Sequence, residues 1–461
     1  MEFEGLKATV IGLAREGTAL ARFLAERGAE VTVSDLKGEE ELKDRMISLA
    51  HLPIRFVLGG HPLDLLEETE VLFVSPGVPL EIPIVQEARR RGIPVSGEAR
   101  LFCELCPATI IGITGSSGKT TTTAVTGEML KEAGIPTWVG GNIGRPLIEH
   151  LGEIRPQDRI VMELSSFQLK LFGSDFGLKP ISPPVAAVLN ITPNHLDRHP
   201  SMEDYIGAKK NIFLHQKEEG VAVFGYDNAI SRELASEARG KVWFFSLREL
   251  PEGAFLRDER LFLKIGETEL EICQAREIRM LGRHNVANVL AASLLAFIGG
   301  ADIEAIRSVA TTFKGVEHRL EFVREVRGVR YYNDSIATSP ERVVAALNSF
   351  DGSIILLAGG KDKNLPWDEM AELTVKKVRH LVIFGEAAPK IERAVREARL
   401  RLGSDNPEIS ICTTLEEAVE EASKVARPGE IVLLSPGGTS FDAFRDFAHR
   451  GERFKELVST L

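Results

Sequence analysis

GITGSSGKTTT, residues 112–122, follows the apolar run 108–113, which reads as a buried strand, and precedes 124–133, which reads as a helix. Strand, Gly-rich turn and helix is the order a phosphate needs. Successive backbone N–H groups from Gly115, Ser116, Ser117 and Gly118 face the anion, and the helix N-terminus adds its dipole. Lys119 places a point charge on the terminal phosphates. The Thr120 hydroxyl suits a divalent cation, and Thr121 continues the turn. The spacing departs slightly from the generic phosphate loop, with five residues rather than four between Gly112 and Gly118.

Around this loop, a length of 461 residues suggests about three domains, each able to bury its own core. Charged residues at 27% and apolar residues at 44% are ordinary for a globular protein. A net charge of -11 argues against a nucleic-acid or membrane-surface role, yet it is compatible with a nucleotide held by a few local cations. The N-terminus MEFEGLKATV reads as neither a signal peptide nor an anchor, and no run approaches the roughly 18 apolar residues of a membrane span. A cytoplasmic location is expected. Cys103 and Cys106 form a CxxC, but Cys273 and Cys412 stand apart, so buried thiols are expected rather than a metal or redox centre.

Before the loop, residues 7–12, 17–27 and 30–34 read as a βαβ unit ending at Asp35, an acid placed to hold a ribose hydroxyl. The turn GLAREG lacks the middle glycine of a dinucleotide fingerprint, which leaves Arg15 and Glu16 either against a uridine or in solvent. Strands at 55–58, 71–74 and 94–96 complete this module, and Ser75, Pro76 and Gly77 form a turn at a strand end.

After the loop comes GGNIG with Asn142 at its centre, then the strand 159–162 delivering Glu163, the expected magnesium acid, into LSSFQ. A strand at 185–190 opens into ITPNHLDRH, where His195 lies in a polar loop bracketed by Pro193 and Pro200. A helix at 205–213 carries Lys209 and Lys210, which by themselves read as solvated surface. Hairpins are expected across 220–272. Asn285 and Asn288 share the first turn of the apolar helix that follows, as helix caps or against an adenine edge. Beyond a linker at 315–319, strands and helices alternate to the end, and three strand ends carry NDSIATS, GGKDKN and SPGGTS. A mainly parallel sheet with its site at the carboxyl edge is predicted.

Taken together, the loop, GGNIG, ELSSFQL, NHLDRH, Tyr205 with Lys209, GRHNVANVLAA, EHRLE, NDS and GGKDK resemble the Mur ligase family along almost the whole chain. LLSPGGTSFDAFRDFAHRG is similar to the branch that joins D-glutamate to UDP-N-acetylmuramoyl-L-alanine through an acyl phosphate. The resemblance implies an α/β fold of three domains. A Rossmann-like UDP-sugar domain would span 1–97, a central P-loop ATPase-type domain 98–314, and a Rossmann-like amino-acid domain 315–461.

Under the resemblance, Asp35, Gly77 and Asn142 bind the UDP-sugar. Asn285, Asn288, Arg319 and Asp334 join the loop in binding ATP, and Thr338, Lys363, Ser440, Phe441 and Phe447 form the amino-acid pocket. Lys119, Glu163, His195 and Lys209 are the implied catalytic set. Two magnesium ions are implied, on Thr120, Glu163, His195 and a carbamylated Lys209, in a monomeric cytoplasmic enzyme of peptidoglycan precursor synthesis.

Departures from the family pattern are Ser117 for an Asn, and Ile336 and Ser339 where the D-glutamate-adding branch has Lys and Asn. Loss of that cation and amide leads to an expectation of looser amino-acid discrimination. Other readings are a sibling ligase adding another amino acid, a folylpolyglutamate synthetase-like ligase, or a nucleotide-switched binding protein without chemistry.

Overall fold

A computed structural model describes every residue except Met1, Ile143, Arg145, 194–197, Leu281, Asp351 and Asn364. The described residues form three sheets in two compact units. Met1–Ile278 with Arg283–Thr312 make the first unit, and Arg279–Gly282 with Phe313–Leu461 the second.

The first sheet is built from β1 (Lys7–Ile11), α1 (Arg15–Ala25), β2 (Glu30–Asp35), α2 (Glu39–Leu49), β3 (Ile54–Leu58), β4 (Val71–Val74), α3 (Pro83–Arg90) and β5 (Val95–Ser96). Its order is β3-β2-β1-β4-β5, all parallel, so the strand order reverses between β1 and β4 and opens a crevice there. The β1–α1 turn depends on two glycines. Gly12 has φ +92°, and a Cβ on Gly17 would lie 1.9 Å from the Gly12 carbonyl oxygen.

The same unit continues through α4 (Glu98–Leu105), β6 (Thr109–Thr114), α5 (Lys119–Glu132), β7 (Thr137–Gly141), β8 (Arg159–Glu163), α6 (Ser166–Lys170), β9 (Val185–Val188), α7 (Met202–Lys210) and β10 (Val221–Gly225). It closes with α8 (Ala229–Leu234), β11 (Lys241–Ser246), β12 (Gly253–Arg257), β13 (Arg260–Ile265), β14 (Thr268–Gln274), α9 (Arg283–Ile298) and α10 (Ile303–Thr312). The nine-stranded order β14-β13-β12-β11-β10-β9-β6-β8-β7 places β6 in the interior. Its residues Ile110–Thr114 are all buried, as a strand covered on both faces requires.

Two expectations change here. The segment 220–272 is not all hairpins, because β10, α8 and β11 make a parallel crossover before the antiparallel β12-β13-β14 meander. The helix after the loop starts at Lys119, five residues before the apolar pattern begins, because residues 120–123 are four threonines whose polarity hides the helix.

The second unit contains β15 (Glu321–Val326), β16 (Val329–Asn333), α11 (Pro340–Leu347), β17 (Ile354–Gly359), α12 (Asp368–Lys377), β18 (Val378–Phe384), α13 (Ala388–Leu402), β19 (Glu408–Ile411), α14 (Leu415–Val425), β20 (Ile431–Gly437) and α15 (Phe447–Ser459). The order is β15-β16-β20-β17-β18-β19, parallel except for the β15–β16 pair. The sequence reading missed β15, whose EFVREV alternation is half exposed at the sheet edge. Adjacent β16, β20 and β17 bring the NDS, SPGGTS and GGKDK tips to one edge.

Candidate functional site

The phosphate loop leaves β6 and enters α5 through Gly118, whose φ is +81°. A Cβ there would lie 2.4 Å from Asn288 Oδ1, so both backbone and space demand glycine. The loop is braced from beneath: Ser116 N–H donates to the Asn190 carbonyl (2.9 Å), and Ser117 N–H to Asn190 Oδ1 (2.9 Å). Lys119 Nζ folds back onto the carbonyls of Gly115 (3.0 Å) and Ser116 (3.4 Å), a pose in which the ammonium hovers over the cradle.

Glu163 ends β8 with 2% of its surface exposed. Thr120 Oγ1 donates to its Oε2 (2.8 Å) and Asn142 Nδ2 to its Oε1 (3.0 Å). A hydroxyl and a carboxylate at this separation are hard oxygen donors of the type magnesium selects. His195, expected beside them, lies outside the described residues.

Lys209 contradicts the surface reading of its sequence context. It is 1% exposed, and Nζ donates to the Gly115 carbonyl (2.9 Å) and Thr114 Oγ1 (3.2 Å), beneath the loop. Burial, helped by the Lys119 charge, holds its amine well below the ordinary lysine range, against the opposing pull of Glu163. Lys210, about 100° further round α7, pairs with Glu237 instead.

ELSSFQ has a local reason. Ser165 caps α6, accepting from Gln168 N–H (3.3 Å), while Gln168 Oε1 accepts from Ser165 N–H (3.0 Å), a reciprocal capping box. That leaves Gln168 Nε2 free to donate to both oxygens of Glu16 (3.2 and 3.3 Å). Glu16 is therefore buried, not solvated as one branch of the sequence reading had it. Burial pushes its carboxyl up to about 7 and that of Glu98 to about 8, the latter helped by the charge of Glu16. Both line a cleft with Ser75, Gly97, Phe167 and Arg198.

Asp35 is close to the β1–α1 turn, where Oδ2 accepts from Leu13 N–H (2.7 Å). Neither Asp35 nor Gly77 lines the cleft. Asn288 is 7% exposed and spends its amide on Asn285 Oδ1 (3.0 Å), while its Oδ1 faces the loop. Sequence reasoning missed the link from His199 Nε2 to Ser166 Oγ (2.9 Å) and from Nδ1 to Asp204 Oδ2 (2.6 Å), which ties the loop after β9 to α6 and α7. The spacing of single polar residues across three elements carries no periodic signal.

In the second unit the strand tips are stitched together. Lys361 and Thr439 exchange backbone hydrogen bonds (2.8 and 2.9 Å), and Gly437 N–H donates to the Ala337 carbonyl (2.8 Å). Thr338, Lys363 and Ser440 thus belong to neighbouring tips, Ser440 buried, Thr338 half-buried and Lys363 exposed. Phe441 is 68% and Phe447 37% exposed. Asp334 is buried, accepting from Ser435 Oγ (2.8 Å) and Leu320 N–H (3.2 Å), and burial raises its carboxyl to about 7 despite the Arg319 charge. Glu317, His318 and Glu452 converge closely enough for a metal, but Lys455 Nζ already sits 2.6 and 2.7 Å from the two carboxylates. This cluster is an ion-pair network.

Cys103 and Cys106 gather no further thiol or histidine among the described residues, and burial raises both thiols. No helix among the described residues is long and apolar enough to cross a membrane.

Comparison with known proteins covers the whole chain. Family models match the Mur ligase MurD-like N-terminal domain at residues 6–97, the Mur ligase middle domain at 113–296, and the Mur ligase glutamate ligase domain at 318–438. The UDP-N-acetylmuramoylalanine–D-glutamate ligase of Acetivibrio thermocellus is 47% identical over 99% of this chain and 96% of its own. Its counterpart in Symbiobacterium thermophilum is 46% identical over 99% and 98%. Among solved structures, the UDP-N-acetylmuramate-alanine ligase of Thermotoga maritima shares the fold with a TM-score of 0.58 at 19% identity, covering 99% of both chains. With three family domains in order and relatives at this identity along its length, the chain belongs to the Mur ligase family.

Proposed function

We propose that the protein is the ATP-dependent ligase that joins D-glutamate to UDP-N-acetylmuramoyl-L-alanine in peptidoglycan precursor synthesis. The observation that carries this reading is the phosphate loop with Glu163, Thr120 and the buried Lys209 gathered around it, in a chain whose full-length relatives bear that activity in their names. Residues 1–97 take the UDP-sugar at the crevice between β1 and β4, with Asp35 and Gly77, and Asn142 of the central domain helps hold its muramoyl-alanine portion. Residues 98–314 take ATP, with Asn285 and Asn288 toward the adenine. Residues 315–461 supply Arg319 and Asp334 to the nucleotide, and Thr338, Lys363, Ser440, Phe441 and Phe447 to the amino acid.

The alanine carboxylate of the UDP-sugar attacks the γ-phosphorus, the bond to the β–γ bridging oxygen breaks, and ADP leaves. Lys119 and the loop N–H groups balance the charge gathered when two anions meet. The D-glutamate amine then attacks the acyl carbon. The carbon–oxygen bond to phosphate breaks, and the amine proton departs with solvent or phosphate. Thr120, Glu163 and His195 would hold magnesium, which would supply neutralisation of phosphate charge.

Lys209 is the residue for a carbamate: burial favours its neutral amine, whose lone pair can attack CO2, and loss of one proton leaves an anion that would help hold a second ion. A cytoplasmic location and a monomeric working form are part of this proposal.

Lys119→Ala tests the reading. UDP-N-acetylmuramoyl-L-alanine- and D-glutamate-dependent phosphate release should fall by at least about 10²-fold with an unchanged melting curve, on the scale of losing one preorganised charge. Near-normal turnover would overturn the assignment of the loop.

A further inference from the structure

Arg450 lies in the opening turn of α15 and is fully buried, with 0% of its surface exposed. A cation there opposes the helix dipole, and an unpaired buried charge costs stability. Its hydrogen bonds all go to uncharged oxygens: Nε to Ser335 Oγ (3.1 Å), Nη1 to the Thr439 carbonyl (3.1 Å), and Nη2 to the carbonyls of Ser335 (3.0 Å) and Gly438 (3.1 Å). The guanidinium thereby clamps the tip after β16 to the tip after β20. Ser335 Oγ extends the clamp by donating to the Phe447 carbonyl (2.7 Å). Gly360, on the tip after β17, leaves the room: a Cβ there would lie 2.7 Å from Nη1.

Two more cations face these tips. Lys363 is exposed, yet partial desolvation and the charges of Arg342 and Arg450 lower its amine. Arg342 Nη1 donates to the Ile336 carbonyl (2.9 Å), beside the position where a lysine is absent. The acid that acts on Arg450 is the exposed Asp442, which makes no ion pair with it among the described residues. Three positive groups thus bear on one sheet edge, with no carboxylate among the described residues paired to Arg450 or Lys363.

We propose that Arg450 is the positioning residue of the amino-acid pocket, fixing the β16 and β20 tips and lending a buried positive charge whose counter-ion is the side-chain carboxylate of an acidic amino acid. This rests on the functional reading above and extends it to a residue behind the pocket wall that does not touch substrate.

The test compares Arg450→Lys, Arg450→Gln and Ser335→Ala with the unaltered protein. KM and kcat are measured for D-glutamate and D-glutamine, and hydroxylamine trapping of the acyl phosphate reports the first half-reaction. Arg450→Gln should lower the D-glutamate over D-glutamine ratio of kcat/KM at least tenfold. Arg450→Lys, which keeps the charge but loses the fork, should raise the KM for D-glutamate severalfold while keeping most of that ratio. Ser335→Ala, the mildest change, should raise the KM for D-glutamate without altering kcat. Trapping should be unchanged in all three, which also shows that the protein is folded. An unaltered ratio in Arg450→Gln overturns the charge role. Should that variant not fold, an unchanged KM in both Arg450→Lys and Ser335→Ala overturns the proposal. An unaltered protein that uses no acidic amino acid would instead refute the functional reading itself.

Discussion

Lys209 and Lys210 are adjacent in sequence, yet one lies under the phosphate loop and the other pairs with Glu237. Lys209→Ala should lose at least about 10²-fold in turnover and regain part of it with acetate or formate, while Lys210→Ala should stay within about twofold of the parent. Equal losses, or no chemical rescue, would count against the carbamate. A second residue-scale consequence concerns Glu16 and Glu98. Their carboxyls are raised in the folded state, so between the ordinary glutamate range and about pH 7–8 the native protein holds protons that the unfolded chain releases. Stability contributed in this way is full below the ordinary glutamate range and is lost progressively as pH rises from there to about 7 and 8. Glu98→Gln should therefore stabilise at pH 9, by on the order of 3 kcal/mol, and be nearly neutral at pH 5. Denaturant melts at the two pH values decide it; an equal effect at both would mean that the carboxyl does not titrate there.

At the scale of elements, the strand–loop–helix unit from β6 to α5 was legible because its glycines and lysine have no other economical use. The helix start was not, since four threonines mask the apolar period. The carboxyl-edge tips of β16, β17 and β20 were also legible, from Gly-rich ends on apolar runs. Their stitching by Arg450 was not, because a lone arginine at a helix start reads as surface until three dimensions bury it. The link from Glu16 to Gln168 was hidden for a similar reason, as its partners are 152 positions apart. Gly118 gives the element-scale prediction. Gly118→Ala puts a methyl 2.4 Å from Asn288 Oδ1 at φ +81°, so it should cost about 1–3 kcal/mol in stability and weaken ATP binding by at least tenfold. Calorimetric titration with ATP and a thermal melt check both; wild-type affinity would show that the loop tolerates displacement of Asn288.

Across the whole molecule, length and the alternation of strand and helix were enough to anticipate an α/β protein of about three domains. Which substrates it takes was legible only through resemblance, because chemistry sits in side chains that converge from distant segments. The chemistry to be tested is amide formation between UDP-N-acetylmuramoyl-L-alanine and an acidic D-amino acid. The most direct measurement is ADP release and product mass with that UDP-sugar and MgATP across D-glutamate, L-glutamate, D-glutamine and D-lysine. D-glutamate should be the best substrate, giving a product heavier by one glutamyl residue, with slower but measurable use of some others, given Ile336 and Ser339 at the pocket. Preference for any other amino acid, or ADP release without a new amide, would contradict it.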